Sequence, residues 1–233
     1  MRQNLTKRNK IIMILELTLQ KILFAILLTL PQYENDSNIE TPSQHQDRLE
    51  TFSNAIAQAS HESVCENNNN AAYCWHGSEL ELSMLLISKA WHETRFSQHI
   101  HAGKCNPGEC DTVWKTLINP KTHAQIRYAA YYKARSNWQI HRNYTYVSQE
   151  EWHNMPGTSL LSTKTSAIVA ARMLGFSFDR CKTISGAISL YATGKSCKWS
   201  GARNRVWLYN NLLKRANDQE NIKQILAENS AKD

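Results

Sequence analysis

Apolar positions recur at helical spacing through most of this chain, and strand-like alternation is scarce. Leu49, Phe52, Ile56 and Ala59 share one face of a segment over 47–64. Ser78-Glu-Leu-Glu reads as a helix start, with a hydroxyl to cap it and two carboxylates at the positive end of the dipole. The helix that follows runs to about Glu93 and is apolar on nearly every side (Leu80, Leu82, Met84, Leu85, Leu86, Ile87, Ala90, Trp91), which predicts burial all round. Further helices are predicted over 165–174, 183–192 and 202–214. Residues 94–125 read as loop, with Gly103, Pro107 and Gly108, and aromatics crowd 128–152. There is no internal repeat. The pattern predicts a mainly α single domain over 47–216, preceded by a polar linker (31–46) and followed by a polar tail (217–233) that forms a frayed helix.

Residues 1–30 stand apart. Five basic residues and one acid surround an apolar run from Ile11 to Leu30 that Glu16, Gln20 and Lys21 interrupt. A basic start and an apolar stretch are the marks of an export signal. An uncleaved anchor through 11–30 and an N-terminal core helix are the alternatives. Six cysteines fall into local pairs: Cys65 with Cys74, Cys105 with Cys110, Cys181 with Cys197. An even set on an exported chain predicts disulfides, here in sequential order, in a periplasmic or secreted protein.

Charge changes the picture once it is located. The net +7 invites a nucleic-acid partner, but residues 1–30 hold +4 of it. Residues 34–93 carry ten acids against two bases, and residues 94–216 carry eighteen bases against five acids. The molecule is bipolar, and no nucleic-acid motif accompanies the basic half.

Candidate chemistry centres on Glu93. It ends the buried helix on the face of Leu86 and Ala90. Burial there is expected to raise its pKa, which suits a general acid. The run Trp91-His-Glu93-Thr-Arg-Phe96 resembles the Glu-Ser-x-Phe motif of the soluble lytic transglycosylases and goose-type lysozymes. Ser136-Asn-Trp138-Gln139-Ile140 resembles that family's Gly-Leu-Met/Trp-Gln-Val motif, and Ala187-Ile-Ser-Leu-Tyr191-Ala-Thr-Gly194 its Ala-Tyr-Asn-x-Gly motif, in the same order. Ser136 stands where the family commonly has Gly, and Ala192 where it commonly has Asn. The segment from His101 to Asp111, with Cys105 and Cys110, looks like a disulfide-stapled elaboration after the acid.

The resemblance implies a lysozyme-like domain that cleaves the β-1,4 bond between N-acetylmuramic acid and N-acetylglucosamine in peptidoglycan. Glu93 would be acid and base, Tyr191 would support it, and Ser136, Trp138 and Gln139 would line the sugar cleft. It implies a monomer with no metal or other cofactor. Asp111 is the best candidate for a second carboxylate, while Glu150 and Glu151 read as solvated. A zinc site fails at His92-Glu93, because Phe96 stands where the second His belongs, and His99 with His101 reads as a surface pair beside a disulfide. The competing reading is a non-catalytic peptidoglycan-binding protein on the same fold, motivated by positions 136 and 192.

Overall fold

The computed structural model describes residues 19–31, 40–68, 73–104, 112–120, 122, 125–132, 134–141 and 146–230. Among them the fold is mainly helical. A first helix, α1, covers 19–28. It is followed by α2 (Pro42–Ser63), α3 (Glu79–Thr94), α4 (Gln98–His101), β1 (Thr112–Ile118), β2 (Gln125–Tyr132), β3 (Ala134–Arg135), β4 (Ile140–His141), α5 (Gln149–Asn154), α6 (Leu160–Cys181), α7 (Ile184–Thr193) and α8 (Ala202–Ser230).

Local chemistry sets the helix starts. Ser78 caps α3 in a reciprocal box with Glu81, and Ser148 does the same for α5 with Glu151. Thr41 makes such a box with Gln44, followed by Pro42 at the first helical position. That cap starts α2 at Pro42, so the linker expected over 31–46 loses its last five residues to the domain. The expected 165–174 helix is the middle of the longer α6, which begins at the Ser159 cap.

The centre of the molecule is α3, whose Leu82, Met84, Leu85, Leu86, Ile87 and Ala90 are all fully buried. It packs on α2 and α8, while α6 packs on α2 and α7. Two disulfides pin loops to this bundle, Cys65–Cys74 and Cys181–Cys197, in the sequential pairing expected. They are consistent with an oxidising compartment. The first loop closes on α6 at Gly175, where a Cβ would lie 2.1 Å from the Tyr73 carbonyl oxygen. Cys105 and Cys110 lie outside the described residues.

One expectation changes. The stretch read as loop contains β1, which pairs antiparallel with β2 from Thr112↔Tyr132 to Ile118↔Gln125. Asn119 starts the turn between them, its side-chain oxygen accepting from the Thr122 backbone N–H. The β-branched and aromatic residues of both strands carried the signal, but the Gly and Pro residues before them masked it. At the N-terminus, residues 19–30, part of the segment read as export signal with an anchor or a core helix as alternatives, supply Ile22, Leu23, Ile26, Leu27 and Leu30 to the core. Trp91 donates its indole N–H to the Pro31 carbonyl, and Arg215 donates to Thr29. An apolar stripe at helical spacing serves a core helix as readily as a signal. Among the described residues no helix is long and apolar enough to cross a membrane.

Candidate active site

The three motif segments meet at the C-terminal end of α3. Arg95 ends that helix in the left-handed conformation (φ 49°), and Phe96 follows at φ 58°. The reversal turns Phe96 inward against Phe52, and Arg48 donates to the Phe96 carbonyl at 2.6 Å. Thr94 then donates through its hydroxyl to the Asn137 side-chain oxygen at 2.8 Å, which ties the helix end to the turn between β3 and β4.

That turn carries Ser136 to Gln139, with φ of 60° at Ser136 and 50° at Gln139. The left-handed backbone at Ser136 is the kind of position that favours glycine, the residue the resembled motif has there. Trp138 is fully buried and donates its indole N–H to the Leu86 carbonyl at 3.0 Å. From the other side, the Tyr191 hydroxyl on α7 donates to the Trp138 carbonyl at 2.9 Å. Gly194 closes α7 at φ 66°.

Glu93 is bound by two cations. The Lys89 ammonium lies 2.6 Å from its Oε1, and the Arg205 guanidinium of α8 lies 3.4 Å from the same oxygen. Lys89 is fully buried and sits 4.1 Å over the Tyr191 ring, so one lysine joins the acid to the tyrosine. Ser88 fixes the start of α8 by donating to the Arg205 carbonyl.

These charges overturn one expectation. Burial by itself would raise the Glu93 carboxyl, but Lys89 and then Arg205 outweigh it and hold it below the ordinary carboxylate range. A buried helix face raises a carboxyl only where no cation shares the site, and here Lys89 and Arg205 do. Burial pulls the Lys89 ammonium below its usual value; Glu93 opposes this without cancelling it, and Arg205 adds to it. Burial, and then Arg205, lower the pKa of His92.

The substrate-binding expectations fare unevenly. Ser136 and Trp138 are core residues with no exposed surface, so Trp138 offers no face for a sugar to stack on. Its apolar area and its one N–H are both satisfied inside the protein. Gln139 stays half-buried, its amide donating to the Ser136 carbonyl. Glu150 is exposed as expected. Glu151 is not simply solvated: it accepts from both Arg172 terminal nitrogens, at 2.9 and 3.1 Å. His101 is not a surface histidine. It is buried beside Phe52 and Trp138 with Nε2 2.9 Å from the Thr163 hydroxyl. Asp111, the candidate second carboxylate, lies outside the described residues.

Lys89 and Arg205 are the partners of Glu93 that the sequence motifs do not contain. Lys89 had a visible signal: a cation on an otherwise apolar helix, four residues before an acid. Arg205, 112 positions from Glu93, had none.

A scan against protein-family models and searches of curated proteins and of solved structures return no match.

Proposed function

We propose that this protein cleaves the glycan strand of peptidoglycan at the β-1,4 bond following N-acetylmuramic acid, with Glu93 as the single acid and base. The observation that carries this reading is the convergence of the three motif segments. Glu93, Tyr191 and the 136–139 turn come together through Lys89, the Trp138 carbonyl and Asn137. Protonated Glu93 would donate to the bridging oxygen as the bond from it to the anomeric carbon breaks. The carboxylate would then take a proton either from the sugar's own 6-hydroxyl, giving a 1,6-anhydro end, or from water, giving a reducing end. Tyr191 would act at a distance, holding Lys89 and the 136–139 turn in place. An exported, periplasmic or secreted location follows from this substrate and fits the disulfides.

The acid step requires a proton on a carboxyl that Lys89 and Arg205 keep ionised. Activity is therefore expected to be highest at acidic pH and to fall as pH rises through the lowered Glu93 pKa. Glycan that displaces water from the open side of Glu93 strengthens burial, the one influence that favours the protonated form. The same ion pairs favour the second reading, a protein that binds peptidoglycan without cutting it. Digestion of purified walls from acidic to neutral pH separates the two. Soluble muropeptides from the wild type support the enzyme, and mass spectrometry of their ends distinguishes transglycosylase from lysozyme chemistry. Wall binding with no fragments at any pH overturns the enzyme reading.

A further inference from the structure

Arg205 is the least satisfied ion of the cluster. Among the described residues its guanidinium makes hydrogen bonds to Glu93 Oε1 and to the Gly201 carbonyl, both at 3.4 Å, long beside the roughly 2.7–2.9 Å usual for a charged pair. Its Nε is buried with no hydrogen-bond partner. The nearer cation, Lys89, already holds Glu93 at 2.6 Å. Two cations thus face one carboxylate in a poorly solvated place, and the surplus charge belongs to a guanidinium that is still 15% exposed.

An aromatic face accompanies it. The guanidinium carbon lies 4.7 Å from the centre of the Trp199 ring, and Trp199 is 37% exposed. The Cys181–Cys197 bridge anchors the chain two residues before this indole. Gly201 makes room for it, since a Cβ there would come within 2.2 Å of a ring carbon. A disulfide and a glycine therefore hold an open indole against an undersatisfied arginine, directly beside Glu93.

We infer that Arg205 and Trp199 form a subsite for a carboxylate-bearing sugar, the muramyl residue whose lactyl carboxylate has been freed by removal of its peptide. This rests on the glycan-cleaving reading above. A carboxylate can take two N–H donors from the guanidinium fork, and the sugar's apolar face can lie on the exposed indole. Distance selects the lactyl group. Arg205 touches Glu93, which must touch the scissile oxygen, so the anion has to sit on the sugar itself. Peptide carboxylates hang several bonds farther out, and an attached peptide turns the lactyl carboxylate into a neutral amide. The reaction class that supplies this substrate is hydrolysis of the bond between the muramyl group and its peptide.

The test compares three glycan strands: peptide-bearing, enzymatically stripped of peptide, and stripped then methyl-esterified. The wild type is expected to cleave stripped strands on the order of tenfold faster than either of the others at low substrate. Arg205→Gln should erase that preference while some cleavage remains, because Lys89 still holds Glu93. Trp199→Ala should raise KM on stripped strands with little change in kcat. The ratio between substrates reads carboxylate recognition alone, whatever Arg205→Gln does to Glu93 itself. Equal rates on stripped and esterified strands, or faster cleavage of peptide-bearing ones, overturn the inference and leave the proposed activity intact. If the wild type cuts nothing, that activity falls, and ligand-observed NMR with a muramyl disaccharide bearing the free carboxylate decides the subsite. Binding lost in Arg205→Gln supports it, and no binding to the wild type overturns it.

Discussion

Removing the Glu93 carboxylate should destabilise the fold far more than removing its partner Lys89. The asymmetry comes from burial. Lys89 is fully buried, whereas the Glu93 side chain is 20% exposed. At an effective dielectric of about 20, unit charges about 4 Å apart attract by about 4 kcal/mol. Glu93→Gln removes that attraction and strands a buried ammonium beside Arg205, which is expected to cost about 3–5 kcal/mol. Lys89→Met removes the buried charge together with its desolvation cost, fills similar volume and keeps the contact with the Tyr191 ring. Glu93 then retains Arg205 and water, so the loss should stay below about 1.5 kcal/mol. The double variant Lys89→Met/Glu93→Gln should be close to Lys89→Met alone. The pH dependence has a definite sign. The folded-state pKa of Lys89 is lowered, so between it and the ordinary value the unfolded chain binds more protons and stability rises with pH. In Glu93→Gln the opposing pull of the carboxylate is gone, the window extends to lower pH, and alkaline conditions should recover part of the deficit. Urea denaturation of the four proteins measures all of this. A Glu93→Gln cost under about 1 kcal/mol, or a double variant as unstable as Glu93→Gln, would refute the claim that this pair is what stabilises a charged Lys89. The double variant is also the proper inactive control, since Glu93→Gln alone loses the acid and strains the fold together.

Other outcomes follow from the same packing. His101 has its pKa lowered by burial, and secondarily by Arg48, from 6.5 to about 3; its neutral form therefore stabilises the fold above the ordinary value and that stability drains as pH falls toward about 3. His101→Leu should flatten the acid limb of a thermal-melt profile across that window, and an unchanged limb would contradict the burial. Trp138→Ala should cost about 3–5 kcal/mol by denaturation, as core deletions do, whereas Trp199→Ala should change the melting temperature little. Deleting residues 1–31 should remove the α1 contribution, roughly 1.5–3 kcal/mol for each buried Ile or Leu as an upper bound. Intact-mass measurement of the mature protein then shows whether α1 is retained, and a fully stable, processed chain lacking 1–31 would refute its place in the core.

Much of the fold was legible because it rests on local rules. The Ser78 cap with Glu79 and Glu81 announced α3, and its all-round apolar pattern announced burial. The cysteine spacings announced three sequential disulfides, of which the two among the described residues are formed. The Glu93, Ser136–Ile140 and Tyr191 segments were visible as a set, and Ser136 in a left-handed backbone fits the glycine position of the motif it resembles. The roles of individual aromatics were not legible. Trp138 and Trp199 are both tryptophans in polar surroundings of sequence, yet one is sealed under α3 and the other stays open beside Arg205.

The sequence by itself determined where helices start, which faces are apolar, which cysteines can pair and which acid ends a buried helix, because each depends on neighbours within a few residues. Only the tertiary structure decided that α1 joins the core and that the Glu93 carboxyl is held below the ordinary carboxylate range. The α1 stripe would suit a membrane or a protein interior equally, and the packing of Trp91 and α8 selects the interior. The charge state of Glu93 is a sum over whatever lies within a few ångströms. Burial, which the helix pattern shows, pushes the carboxyl up. Lys89 and Arg205 push it down and win, and Arg205 comes within reach only when α8 packs against α3.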